Sequence, residues 1–436
     1  MNRAPHPPTL SRRRAETRLR GRRLKILMLG HWLPSVLWEA DVRRTVCFAR
    51  LLAGHHRVTL AFVTDDPGPF GALTALRAEF EDIEFAVVSR SWKRFAGMIR
   101  LAMGQSATIT HCSSRALRTR LRDRTRADAH DGVLVSSSGM TPYLADLDPS
   151  TPVLVDFGEM DSDRWARRAR ARGWPWAALY RAEADRLREV EIGGARRAAR
   201  CLVASPEAAA VVGSVAPWAS ATVIRNGVDV DEFASPPRES PAPIILFAGW
   251  ADPEIAVDLG AFCHTTLRAV RARVPEARLV LVSRRTTTAL RRLARLPGVE
   301  LAAPAMDIRA SLHRAAVAVA PIRGGRAMQD SVLEAMAAGV PVVATARGHG
   351  GLAARPGQEI FVEEDPGAFA HRVIQLLESH ALRADTGARA RAFVAKHHSW
   401  DAAGQALLPI LDDVAGRARQ VGPSRFVSLK RLSRPD

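Results

Sequence analysis

The sequence predicts an α/β protein made of two doubly wound parallel sheets in series. Three observations lead there. Short apolar runs alternate with amphipathic helical stretches along the 436 residues, as in a parallel sheet with helices on both faces. A Pro-rich stretch, Ser235–Pro243, interrupts that alternation with a composition that disfavours helix and strand alike. Beyond it the alternation restarts, and the chain length suits two domains rather than one.

In the first half, strands are expected at Lys25–Gly30, Arg57–Val63, Ile83–Val88, Gly132–Ser136, Pro152–Phe157, Arg200–Ala204 and Ala221–Ile224. Each is a short apolar run bounded by polar residues or Gly. Helical patterns cover Arg43–Ala53 and Arg181–Ala199. In the second half, strands are expected at Ile244–Ala248, Arg278–Val282, Val299–Ala302, Val317–Ala320 and Pro341–Ala344, with helices at Leu259–Val274 and Ser331–Ala338. The organisation that results is an Arg-rich arm (1–23), a Rossmann-like domain (24–234), a linker (235–243), a second Rossmann-like domain (244–400) and a C-terminal helix with a basic tail (401–436). Ligands of open parallel sheets sit beyond the carboxyl ends of the strands. Two such edges facing each other would make a deep cleft.

Composition is that of an ordinary globular enzyme: 47% hydrophobic, 25% charged and 6% aromatic residues. The net charge of +18 is concentrated at the ends. Residues 1–25 hold eight Arg and one Lys against one Glu, and residues 416–436 hold five Arg and one Lys against one Asp. Such termini can contact an anionic membrane surface or simply be solvated, and nucleic acid is the weakest reading. Cys47, Cys112, Cys201 and Cys263 are scattered, without metal-ligand spacing, which argues for a reducing, cytoplasmic setting and against zinc. No apolar run reaches membrane-spanning length. The short run Leu24–Leu29 is a core strand rather than a signal peptide.

Three segments carry a resemblance. R-N-G-V-D (Arg225–Asp229), I-L-F-A-G (Ile245–Gly249) and V-L-E-A-M-A-A-G-V-P-V-V-A-T (Val332–Thr345) resemble retaining nucleotide-sugar glycosyltransferases of the two-Rossmann-domain (GT-B) type, over roughly residues 24–400. A narrower resemblance, to sugar transferases of PEP-CTERM/exosortase exopolysaccharide systems, rests on V-D-F-G-E-M-D-S-D-R-W (Val155–Trp165), Y-R-A-E (Tyr180–Glu183) and the string opening at Gln329. In that family Gln329 takes the place of a glycine-rich turn.

The resemblance implies a donor site in the second half. Glu334, expected at the start of a helix, would accept hydrogen bonds from a ribose diol, beside helix amides suited to a diphosphate. It is the first candidate for a catalytic role. The wider family has a second Glu eight positions earlier, where this chain has Arg326. Arg326 and Arg323 could instead meet the diphosphate or lie in a solvated loop. Asp330 and Ser331 replace the Asn and Lys of the narrower family, and Ser283 replaces a Gly beside Arg284. Gly249 and Met306, the latter in the base-reading loop Ala305–Asp307, complete the donor set.

On the acceptor side the resemblance implies His31, Asp41 and Arg44 after the first strand. The family's Pro-Pro-Asp-Lys-Gly loop is replaced there by Val36–Ala40. Ser137, Ser138 and Tyr143 resemble the acceptor-side loop, but fit a helix N-terminus with a packed Tyr equally well. Glu159 and Asp161 are weaker catalytic candidates. The D-S-D string Asp161–Asp163 is not read as a metal site in this architecture, because Asp and Ser before a helical stretch form an N-cap signature. Neither a metal nor a cofactor is expected, the nucleotide-sugar being a substrate. The implied reaction transfers a sugar to a glycan or polyprenyl-linked acceptor, with the leaving diphosphate assisting the incoming hydroxyl. An epimerase-like relative and a non-catalytic scaffold are the competing classes.

Overall fold

The computed structural model describes residues 23–31, 40–64, 77, 79–88, 100–101, 103–170, 172–234, 242–249, 253–283, 286–302, 308–324, 329–350 and 352–420. The basic arm, most of the Pro-rich linker and the basic tail lie outside them. The described residues divide into two compact units. The first runs up to Arg225 and resumes at Ala403, and the second is Asn226–Ala402.

In the first unit, seven strands form one parallel sheet: β1 (Lys25–His31), β2 (Arg57–Thr64), β3 (Asp82–Val87), β4 (Gly132–Ser136), β5 (Val153–Gly158), β6 (Arg200–Val203) and β7 (Ala221–Val223). Their order is β3-β2-β1-β4-β5-β6-β7. In β1, Ile26, Leu27, Met28 and Leu29 are fully buried. A strand covered on both faces has no polar side to alternate with, so it reads as a continuous apolar run. The connecting helices are α1 (Ala40–His55), α2 (Ala107–Cys112), α3 (Arg115–Ala127), α4 (Asp161–Arg170), α5 (Trp176–Arg197) and α6 (Pro206–Val215).

The second unit has a parallel sheet of order β10-β9-β8-β11-β12-β13. Its strands are β8 (Ile244–Ala248), β9 (Arg278–Val282), β10 (Val299–Leu301), β11 (Val317–Ala320), β12 (Val342–Ala344) and β13 (Phe361–Val362). Its helices are α7 (Pro253–Phe262), α8 (Arg268–Arg273), α9 (Thr288–Leu293), α10 (Ile308–Leu312), α11 (Gln329–Ala337), α12 (Ala346–His349), α13 (Pro366–Glu378) and α14 (His380–His397). Helix α15 (Trp400–Gln420) begins in this unit and ends in the first.

Both sheets are doubly wound, with the winding reversing beside their first strands. Those reversals, between β1 and β4 and between β8 and β11, open a crevice at the carboxyl edge. Strand β13 is not expected from sequence, because two residues are too few to show a pattern. The single helix expected from Leu259 differs as well. That segment starts at Pro253 and is interrupted by a π-turn at Cys263–Leu267, which separates α7 from α8. No helix among the described residues is long and apolar enough to cross a membrane.

Candidate functional site

At the reversal in the second sheet, β8 runs into Gly249, whose φ of 151° suits only glycine. Its N–H donates to the Val282 carbonyl at 2.9 Å, which holds it beside buried Ser283 at the end of β9. Across the reversal, β11 leads into Arg323 and Gly324. Asp258 of α7 fixes this turn: its Oδ2 accepts their backbone N–H groups at 2.8 and 2.9 Å. The Arg323 guanidinium donates to the Glu364 carbonyl and lies 4.0 Å from the Glu364 carboxylate. Glu364 also accepts the Ala346 N–H at 2.6 Å. Thr345 caps α12 through the Gly348 N–H at 3.0 Å and donates to the Ile322 carbonyl. The ends of β11, β12 and β13 are thereby tied to one another, which presents a rigid edge. Asp258 and Glu364 give no sequence signal, because their partners are backbone groups far along the chain.

Glu334 is buried, at 3% exposure. It is the sixth residue of α11, so it stands in the second turn and not at the helix start expected from sequence. Val332, Leu333, Ala335 and Met336 around it are buried as well. Asp330 and Ser331 occupy the first turn, half-buried. Arg284, Met306 and Arg326, and the Gln329 side chain, lie outside the described residues.

At the reversal in the first sheet, His31 ends β1 and meets His111 of α2 edge-on, with ring centroids 5.4 Å apart. Burial, with His111 adding to it, holds the His31 pKa down at about 4, so the ring is neutral near pH 7. Its Nε2 has no hydrogen-bond partner among the described residues. Helix α2 is itself anchored by Glu183, which accepts the Ala107 and Thr108 N–H groups at 2.8 and 2.9 Å and the Ser106 hydroxyl at 2.8 Å.

Beyond β4, Ser137 holds φ 79°, ψ 150°, a region that costs a non-glycine residue about 1–3 kcal/mol. Its N–H donates to the Asp156 carbonyl at 2.9 Å. Ser138 is fully buried and donates to Glu191 Oε1 at 2.7 Å. The buried Tyr143 hydroxyl donates to the Cys112 carbonyl at 2.9 Å and accepts the Ser114 N–H at 2.8 Å, and burial pushes its pKa up to about 12. Arg44 is 2% exposed. It donates through Nε to Asp156 Oδ2 at 2.8 Å, through Nη2 to Oδ1 at 2.9 Å, and through Nη1 to the Ile224 carbonyl at 2.7 Å.

Three of the expected acceptor-side residues are engaged within the first unit. Ser138, Tyr143 and Arg44 spend their polar groups inside the fold. The packed-Tyr alternative is the one that describes Tyr143. Asp41 lies in α1, with its side chain outside the described residues.

Helix α4 begins at Asp161 itself, which corrects the N-cap reading. Asp161 and Asp163 stand in its first turn, where carboxylates offset the helix dipole, and Glu191 supplies the capping acceptor to the Ser162 N–H at 3.1 Å. Asp161 pairs with Arg164, and Arg167 faces Glu159 at 3.3 Å and Asp163 at 3.2 Å.

Residues 242–379 match the family model described as "Glycosyl transferases group 1". A comparison with curated proteins finds no match. Among solved structures, HepE of Anabaena, in complex with UDP, is similar with a TM-score of 0.61 at 13% identity, covering 89% of this chain and 100% of its own. Sucrose-phosphate synthase of Thermosynechococcus elongatus gives 0.60 at 16%, covering 91% and 100%. TarM of S. aureus gives 0.61 at 11%, covering 89% and 99%. At these identities the likeness is one of fold. Fold and family match together define an enzyme of the two-Rossmann-domain class, the GT-B architecture. The second unit carries a group 1 glycosyl transferase domain, and the enzyme is a glycosyltransferase.

Proposed function

We propose that this enzyme transfers a sugar from a nucleoside-diphosphate donor to a glycan or polyprenyl-linked glycan, with retention at the anomeric carbon and without a metal ion. One observation carries the reading: Glu334 is a buried carboxylate on the helix that follows β11, inside the matched stretch. A carboxylate there can accept both ribose hydroxyls. Gly249 lets the backbone approach a phosphate closely. The loop between β11 and α11 carries Arg323 and Arg326, which suit diphosphate oxygens. HepE, of the same fold, has been crystallised with UDP and with UDP-glucose, so UDP-sugars are the first donors to test.

The narrower resemblance supports a place in exopolysaccharide synthesis, and the basic termini suit work at the anionic inner face of the cell membrane. The test is calorimetry with UDP-, GDP- and ADP-sugars, without added metal, on wild type and Glu334→Ala. One donor should bind in the micromolar range and lose at least tenfold in the variant, roughly 1.4 kcal/mol or more. If no donor binds with or without metal, the donor site fails and a non-catalytic scaffold becomes the better reading.

A further inference from the structure

The first unit carries an exposed aromatic tip that donor binding does not explain. Residues 164–182 contain six Arg, three Trp and one Tyr, and no Asp or Glu. They make the far end of the α4–α5 hairpin. Trp174 is 86% exposed and Trp176 is 53% exposed. Around them Arg170, Arg172 and Arg181 are exposed. At the root of the tip, Trp165 packs edge-on against Tyr180 at 5.1 Å, and Trp176 leans on the same Tyr at 6.4 Å. The Arg168 guanidinium lies 5.1 Å over the Trp165 ring.

Geometry places the two Trp beyond the carboxyl edge of the first sheet. Glu191 of α5 accepts the Ser162 N–H, so it lies level with the start of α4 at the carboxyl edge of β5. From there α5 extends back to Trp176, about 22 Å at 1.5 Å per residue. An exposed Trp at the end of such an arm keeps apolar surface in water unless something covers it.

We propose that the Trp174–Trp176 tip inserts into the interface of an anionic phospholipid bilayer. Trp rings combine an apolar body with a polar N–H and settle at headgroup depth. Arg170, Arg172 and Arg181 stand where lipid phosphates would lie, and a guanidinium matches a phosphate with two N–H groups. The charge is complementary to anionic lipid, with no acidic residue within the segment to oppose it. The inference rests on the membrane-facing reading of function only for its setting, and vesicle binding is measured without donor or acceptor.

The experiment is co-sedimentation of the full chain with vesicles of phosphatidylcholine alone and of equal parts phosphatidylcholine and phosphatidylglycerol, over a range of salt. Wild type should pellet far more with the anionic vesicles than with the neutral ones. Trp174→Ala with Trp176→Ala should weaken binding by about tenfold or more, with an unchanged circular dichroism spectrum. The part of wild-type binding that survives high salt should vanish in that variant, because electrostatic attraction by the basic termini is screened and insertion is not. Acyl-chain-brominated lipid should quench wild-type Trp fluorescence, and Trp174→Phe should remove much of that quenching. The proposal is overturned if wild type ignores anionic vesicles, if the double variant binds as wild type does, or if duplex DNA is bound in their place. Donor calorimetry reports separately on the sugar-transfer reading.

Discussion

Glu191 accepts hydrogen bonds from the Ser138 hydroxyl and the Ser162 backbone N–H through one oxygen, while its other oxygen is buried without a hydrogen-bond partner among the described residues. It thereby ties the loop after β4 to the start of α4. Burial, the largest cause, pushes its pKa above the ordinary 4.5 against those hydrogen bonds, with nearby Asp161 also raising it. Below about 4.5 the group is protonated in both states and carries no penalty. As pH rises, the unfolded carboxyl ionises first, so the fold loses stability until Glu191 itself ionises. Glu191→Gln keeps the accepting oxygen and cannot ionise. Urea titrations between about pH 4 and about pH 7 should therefore show wild type losing ground to the variant as pH rises. A difference that is flat with pH, or that runs the other way, would mean that Glu191 is already ionised in the fold.

At the scale of elements, two neighbouring glycines of α5 test what the helix touches. A Cβ at Gly193 would meet nothing within 4 Å, whereas one at Gly194 would stand 2.9 Å from Thr141 Cγ2. Gly193→Ala should raise stability by about 0.5–1 kcal/mol, through helix propensity and a stiffer unfolded chain. Gly194→Ala should lower it by about 1–3 kcal/mol, because α5 or the 3-10 segment Ser138–Asp146 must give way. Thermal melts of the two variants, read side by side, check both signs. The sequence shows G-G in a helical pattern and nothing that separates the two.

The same limit describes what is legible in the sequence. Strands buried on both faces announce themselves as apolar runs, so β4, β8, β9 and β11 lie where the sequence places them. Contacts between distant polar residues do not. Arg44 and Asp156 meet across 112 positions, and composition and spacing carry no record of that pairing. The Val155–Trp165 and Tyr180–Glu183 stretches stand out in the sequence only as a resemblance. In the structure they hold the first unit together. Asp156 binds Arg44, Trp165 packs on Tyr180, and Glu183 anchors the helix that carries His111. Glu334 is legible as a residue, but its helix begins two residues earlier than the sequence places it, since helix starts are the least certain part of a periodic pattern.

At the scale of the whole molecule, the chain does not divide at a single point. After leaving the first unit at Arg225 it returns at Ala403, inside α15. That return is part of the core. Leu407 is fully buried and Leu411 nearly so. Gly404 sits against Leu51, where a Cβ would meet Leu51 Cδ2 at 2.9 Å, and Leu411 Cδ1 lies 3.8 Å from where a Gly132 Cβ would be. The last described helix thus closes the first sheet's unit, although the second unit comes between them in sequence. Leu411→Ala should remove about 2–5 kcal/mol from that unit. In hydrogen exchange, the loss should appear at the amides of β1 and β4 and leave β8 and β9 protected as before, because local stability follows the packing that each unit contains. Val373→Ala, a fully buried position in the second unit, should give the opposite pattern. If Leu411→Ala instead speeds exchange in both sheets equally, the two units unfold as one, and α15 acts as the coupling between them.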